Sequence, residues 1–158
     1  MEHVADLRAA VSAAALKLHA LSDRSALRSA PGKWSAREII GHLVDSATNN
    51  YERFIRAQTE DHFTVTGYSQ EDWVRIGRYQ DANWDDLVTL WRTFNLQIAR
   101  VMEATPEAAL SRRLTGSNAV TLQELMVDYV RHLKHHLAQI SADDQTAKTT
   151  QVADSPKG

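Results

Sequence analysis

The chain has no cysteine, only 3 proline and 6 glycine residues among 158, and no long apolar run. The absence of cysteine excludes disulfides, thiolate metal ligands and a cysteine nucleophile, so any bound metal must be held by nitrogen and oxygen atoms. Scarce proline and glycine leave few points at which a helix must end. No segment approaches the roughly 20 apolar residues that a membrane-spanning helix needs.

A strong net charge is also missing. The formal net charge is −2 at pH 7, and 24% of the residues are charged, so neither nucleic acid nor a membrane surface is expected as a partner. Residues 1–10 lack a basic region followed by an apolar block. We therefore expect a cytoplasmic protein without a secretory signal. An apolar fraction of 43% is enough for one hydrophobic core, and the length predicts a single domain.

Helix-favouring residues dominate the chain and fall into four long segments with apolar side chains at helical spacing. The predicted helices cover residues 3–27, 35–58, 83–102 and 121–140. The second and fourth helices begin with the capping boxes Ser35-Ala36-Arg37-Glu38 and Thr121-Leu122-Gln123-Glu124. The pattern predicts an all-α fold.

The organisation that follows is a four-helix bundle over residues 1–142. Residues 143–158 have almost no apolar content and are predicted to form a disordered tail. A long crossover, residues 59–82, separates the second helix from the third, and a short helix is predicted over 70–76 within it. The crossover is polar but contains large apolar or aromatic side chains, which predict a connection packed against the bundle: Phe63, Tyr68, Trp73, Ile76 and Tyr79.

Three histidines are candidate metal ligands. His132 and His136 have i, i+4 spacing, which places both imidazoles on one side of the fourth helix. A helical projection puts His136 within the apolar face, His132 at its edge and His135 toward solvent. His42 lies on the flank of the apolar face of the second helix. If the two helices face each other, His42, His132 and His136 can share one cation and leave a coordination position open, which is typical of catalytic metal sites.

A row of polar side chains continues down the second helix from His42. We interpret Asn49, Asn50 and Arg53 of this row as candidate substrate-binding residues. The guanidinium of Arg53 suits a carboxylate, and the two amides suit an anionic or amide-bearing compound. The alternative is that the row simply faces water.

The same helix offers no convincing general base. Asp45 is closest to His42 in sequence, but the projection turns it toward the outer, solvated side of the helix, together with Glu38. Trp34, just before the helix cap, is interpreted as a packing residue of the hydrophobic-staple type.

Two segments resemble the DinB/YfiT superfamily of metal-binding four-helix proteins. They are residues 32–46, which contain Trp34-Ser35 and His42-Leu43, and residues 128–140, which contain His132, His135-His136 and Gln139-Ile140. Asn50-x-x-Arg53, Gly67-Tyr68 and Trp73 resemble the YfiT branch. The resemblance covers residues 4–140. It implies a DinB-like bundle, frequently a homodimer, with a divalent cation, most often zinc or nickel, bound by His42, His132 and His136.

The resemblance also implies an activity. Related proteins are described as metal-dependent hydrolases, and others as thiol-dependent transferases or isomerases that use a low-molecular-weight thiol, so we expect a small-molecule substrate. One alternative is a non-catalytic bundle that binds a metal or a small ligand. Another is a helical interaction domain in which the histidines are incidental.

Overall fold

The computed structural model describes residues 1–27, 29–116, 118 and 121–153, with side chains at all of these positions except Arg24 and 141–153. These residues form seven α-helices: α1 Glu2–His19, α2 Asp23–Ala26, α3 Ala36–Thr59, α4 Gln70–Gly77, α5 Trp84–Glu103, α6 Glu107–Leu110 and α7 Leu122–Ala153. Within this part of the chain the only β-type pairings are two isolated bridges, Thr64 with Thr115 and Arg113 with Thr121. The predicted all-α class is confirmed.

The four long helices α1, α3, α5 and α7 pack as a bundle. Helix α3 contacts α5 and α7, and α1 contacts the same two helices, so α1 and α3 occupy diagonal corners. Each long helix contributes side chains that are almost completely buried in the shared core, among them Leu7, Leu43, Trp91 and Leu133. None of the described helices combines the length and the hydrophobicity that crossing a bilayer would need.

Both predicted capping boxes are formed. The Glu38 amide donates to Ser35 Oγ at 3.3 Å, and the Ser35 amide donates to Glu38 Oε2 at 2.8 Å. Thr121 and Glu124 form the same reciprocal pair at 3.2 and 2.9 Å. These caps satisfy amides that the first turns of α3 and α7 would leave unpaired, and so they set where the two histidine-bearing helices begin.

Two predicted helix ends differ from the structure. The first helix does not continue to residue 27, because α1 ends at His19 and the Ser22 hydroxyl accepts the Ser25 amide at 3.1 Å to start α2. A local serine cap here competes with continuation of the helix.

At the other end of the chain, α7 runs to Ala153, past the predicted end at residue 140. Residues 141–153 contain no glycine or proline to stop the helix, although they lack an apolar face. The backbone is therefore helical at 143–153, where the sequence predicts a disordered tail. The rest of that predicted tail, residues 154–158, lies outside the described residues.

The crossover is packed against α3, as predicted, and its short helix α4 is confirmed. The Arg37 guanidinium of α3 donates to the carbonyl oxygens of Gln80 and Ala82. Phe63 and Val74 of the crossover are buried. The crossover therefore covers one side of α3 and decides which of its polar side chains reach water.

Candidate metal centre

The structure brings His42, His132 and His136 together between α3 and α7. The Nε2 atom of His132 lies 3.3 Å from Nε2 of His42 and 3.1 Å from Nε2 of His136. The three candidate ligand nitrogens all lie within 4.8 Å of one another. His42 is fully buried and the other two are half-buried. Among the described residues, this is the group of histidine and acidic side chains whose geometry could hold a metal ion.

These distances fit a shared cation. Two nitrogens bound to one tetrahedral zinc ion at the usual bond length lie about 3.3 Å apart. Without a cation, the arrangement pairs poorly, because His132 Nε2 carries either one proton or one lone pair and has two nitrogen neighbours within hydrogen-bond distance. A cation placed among three lone pairs satisfies all of them at once. The donor set contains only imidazoles, which suit zinc, nickel and copper.

The imidazoles are held in the neutral form that a metal requires. Burial, with a smaller contribution from the neighbouring rings of His136 and His132, lowers the pKa of His42 to about 3. Burial and the rings of His136 and His135 lower the pKa of His132 to about 4. Burial also lowers the pKa of His136, although its hydrogen bond to Gln139 opposes the shift. Near neutral pH, protons therefore do not compete for these nitrogens.

The second nitrogens of these rings differ in their surroundings. His136 Nδ1 lies 2.9 Å from Oε1 of Gln139. The buried Nδ1 of His42 has no hydrogen-bond partner among the described residues. Ligating histidines usually donate this second N–H to a protein group, which fixes the ring. For His42, packing must supply that restraint.

Trp34 supplies part of this packing. Its ring centroid lies 5.1 Å from that of His42 and 6.4 Å from that of His136, where the two rings are stacked. The residue precedes the Ser35 cap, and the sequence indicated only a packing role there. The structure places its indole against two of the three histidines, so it forms an apolar wall of the site.

The sequence-based prediction that Asp45 faces solvent is wrong. The projection of the isolated helix turned it toward solvent, but Asp45 is only 6% exposed. Tyr79 of the crossover covers it and donates a hydrogen bond of 2.5 Å to Oδ1, while Oδ2 is buried without a partner among the described residues. Burial raises the pKa of Asp45, and the hydrogen bond from Tyr79 partly opposes that shift. The partner is 34 residues away, so the helical pattern of α3 gave no signal of it.

The three predicted substrate-binding residues make contacts within the protein. The Asn49 and Asn50 side-chain amides donate to the carbonyl oxygens of Asp45 and Ser46 at 2.8 and 2.9 Å. Arg53 donates to Asn50 Oδ1 at 3.4 Å and to the carbonyl oxygen of Thr66 in the crossover. From the helical rise, they begin about 10 Å along α3 from His42. Substrate binding by Asn49, Asn50 and Arg53 therefore stays a prediction.

A cavity of about 420 Å³ opens where α3 ends and the segment leading to α7 begins. The distance from His42 to the end of α3 is about 25 Å along the helix axis, so the cavity lies away from the histidine cluster. Two arginines and a histidine outside that cluster are among its lining residues. The lining residues are Asp61, His62, Phe63, Arg112, Arg113 and Thr115.

Sequence comparisons identify relatives among proteins whose names assign them provisionally to the metal-dependent hydrolases. A protein of Bacillus licheniformis is 30% identical over 115 residues, which is 70% of this chain and 65% of the relative. YfiT of Bacillus subtilis is 24% identical over 113 residues, which is 70% of this chain and 64% of the relative. The matched part thus spans slightly less than two thirds of each relative's own length.

A solved structure gives the same fold. YfiT from Bacillus subtilis, described as a probable metal-dependent hydrolase with an unusual four-helix bundle topology, superposes with a TM-score of 0.83. The match covers 93% of this chain and 86% of that chain at 19% identity, and so it supports the fold alone. The family model of the DinB superfamily matches residues 5–140, well over half of the sequence. This chain belongs to the DinB superfamily.

Proposed function

We propose that this protein is a metal-dependent hydrolase of small molecules, with its divalent cation held by Nε2 of His42, His132 and His136. The observation that carries the proposal is the convergence of three neutral imidazole nitrogens, two of the separations being 3.1 and 3.3 Å. Three protein ligands leave a tetrahedral ion one open position, as in catalytic zinc sites. Zinc or nickel is the proposed ion, because a set of three imidazoles binds both well.

A divalent cation held by these three histidines would supply Lewis acidity, which would polarise a carbonyl or related group. The protein's own residues hold and shield it. His42 is fully buried, and Trp34 keeps water from one side of the His42 and His136 rings. Asn49, Asn50 and Arg53, further along α3, are proposed to orient the distal part of an anionic or amide-bearing substrate.

Transfer of a soluble low-molecular-weight thiol is the second candidate. The chain has no cysteine of its own, so the nucleophilic sulfur would come from that thiol. A cation favours the thiolate form of a bound thiol by the same electrostatics that makes it a Lewis acid. The two activities therefore share the site and differ in the nucleophile.

The first measurement is metal content. Wild-type protein from zinc- or nickel-supplemented medium is expected to carry about one equivalent of ion by elemental analysis. His42→Ala and His136→Ala are each expected to lose most of it. The matched control is His62→Ala, which changes an exposed histidine outside the cluster. Metal-free wild type would refute the proposal.

The second measurement is turnover. Ester and amide substrates are tested beside electrophiles offered with small thiols, before and after chelation and metal replacement. A hydrolase loses turnover on chelation and regains it with metal, while circular dichroism shows that the bundle stays folded. Turnover that requires the thiol would assign the transferase instead. A loaded protein with no metal-dependent turnover, whose melting temperature alone falls on chelation, would be a binding or structural bundle.

A further inference from the structure

Gln139 lies about one helical turn beyond His136 in α7, and its side-chain amide is within hydrogen-bond distance of the His136 ring. Oε1 of Gln139 is 2.9 Å from His136 Nδ1, and Nε2 of Gln139 is 3.2 Å from Nε2 of His135. One side-chain amide thus bridges two adjacent histidines. Only one of them, His136, belongs to the cluster of three; His135 is exposed.

The polarity of this bridge determines the tautomer of His136. An amide oxygen only accepts hydrogen bonds, so the His136 nitrogen that faces Gln139 Oε1 must carry a proton. A neutral imidazole has one N–H, and the proton on Nδ1 leaves a lone pair on Nε2. That lone pair points toward His132 Nε2, 3.1 Å away, where a cation would lie.

The contact with His135 matches this polarity when His135 Nε2 carries a lone pair. With Nε2 of Gln139 donating to the His135 ring, Oε1 is left for His136. With the amide reversed, the NH₂ group would face His136 Nδ1 and stabilise the tautomer in which Nδ1 carries no proton. The proton would then sit on Nε2, and His136 could not act as a ligand through that atom. The bridge therefore has one arrangement that supports a ligand and one that does not.

We propose that Gln139 is a positioning residue that holds His136 in the Nδ1–H tautomer and so presents its Nε2 lone pair to the metal site. The inference rests on the proposed function for its metal-binding consequence, but the tautomer itself is a property of the protein alone. It adds to the three histidines an uncharged neighbour that would act on the site through the His136 ring. Loss of such a partner typically weakens metal affinity 10- to 100-fold.

The test uses the full chain and the variants Gln139→Leu and Gln139→Glu. Leucine removes the acceptor, whereas a glutamate carboxylate keeps it. Gln123→Leu is the matched control, because Gln123 is an exposed glutamine near the start of the same helix. Long-range ¹H–¹⁵N correlation spectra of the metal-free proteins report which His136 nitrogen carries the proton. Calorimetry with Zn²⁺ alone reports affinity.

The expected result is Nδ1–H at His136 in wild type, Gln139→Glu and Gln123→Leu, and a shift toward Nε2–H in Gln139→Leu. Zn²⁺ affinity should fall about 10- to 100-fold in Gln139→Leu only. An Nε2–H tautomer in wild type, an unchanged tautomer in Gln139→Leu, or a Zn²⁺ affinity within twofold of wild type in that variant would overturn the inference. If wild type binds no Zn²⁺, the proposed function fails, and the tautomer measurement alone decides this inference.

Discussion

The ring of Tyr79 lies against the backbone of Gly41, the residue that precedes His42 in α3. A Cβ built on Gly41 would be 2.1 Å from two carbon atoms of that ring, a separation that no real side chain tolerates. The same tyrosine donates its hydroxyl to Asp45 one turn further along the helix. Glycine at this position thus allows the crossover to cover the turn of α3 that begins next to His42.

Gly41→Ala is therefore expected to destabilise the protein, although alanine usually favours a helix over glycine by about 1 kcal/mol. The ring must move, and overpacking of this kind typically costs about 1–3 kcal/mol. Urea unfolding measures the change. The control Gly67→Ala, where a Cβ meets no atom within 4 Å, should change stability by less than about 0.5 kcal/mol.

A double-mutant cycle identifies the cause of that loss. In a Tyr79→Ala background the clash is absent, so Gly41→Ala should become neutral or stabilising. An equal loss in both backgrounds would show that Tyr79 is not responsible.

Removing the hydroxyl of Tyr79 should raise the pKa of Asp45 further. Burial already raises this pKa, and the hydrogen bond from Tyr79 is the contribution that lowers it. Tyr79→Phe removes that donor and leaves Asp45 buried. Carbon-13 NMR titration of the carboxyl measures the pKa. Tyr51→Phe, which changes a tyrosine packed on Phe94 instead, should leave it unchanged, and a fall in the pKa in Tyr79→Phe would contradict the prediction.

The metal-free protein should lose stability as the pH falls below about 6.5. Burial lowers the pKa of His42 to about 3 in the folded state, from about 6.5 for an unperturbed histidine. Between these values the unfolded chain binds a proton that the folded chain does not. The free energy of unfolding therefore falls as the pH falls from about 6.5 toward 3. One such group contributes up to about 1.4 kcal/mol per pH unit.

Urea unfolding at several pH values in the presence of a chelator measures this slope. His42→Asn should show a shallower decline, because one of the groups whose pKa rises on unfolding is gone, while His132 and His136 keep theirs. Equal slopes in wild type and variant would place the pH dependence elsewhere.

Binding of a paramagnetic ion should quench the fluorescence of Trp34. Its ring centroid lies 5.1 Å from that of His42, a distance at which Cu²⁺ or Co²⁺ in the site quenches an indole efficiently. Titration of the wild type should give a saturable decrease. Trp34→Phe should lose most of it, whereas Trp73→Phe, which changes an exposed tryptophan on α4, should keep it. Quenching that survives in Trp34→Phe would place the ion near another tryptophan.

Local patterns were enough to predict much of the fold. The starts of α3 and α7 follow from capping boxes whose partners are three residues apart, and the i, i+4 spacing places His132 and His136 on one side of α7. The end of α1 was missed because the Ser22 cap interrupts a continuous apolar pattern. The extension of α7 to Ala153 was missed because periodicity reports burial and not helix formation itself.

The amino-acid sequence by itself determined where the two histidine-bearing helices begin and which histidines share a helix face, because both depend on neighbours within one or two turns. Only the tertiary structure decided that Asp45 is buried and that Trp34 forms a wall of the site. Burial depends on side chains that approach from other elements, and Tyr79 reaches Asp45 across 34 residues. The tertiary structure also decided that His42 meets His132, 90 residues later in the sequence. The distance between their rings depends on how α3 packs against α7.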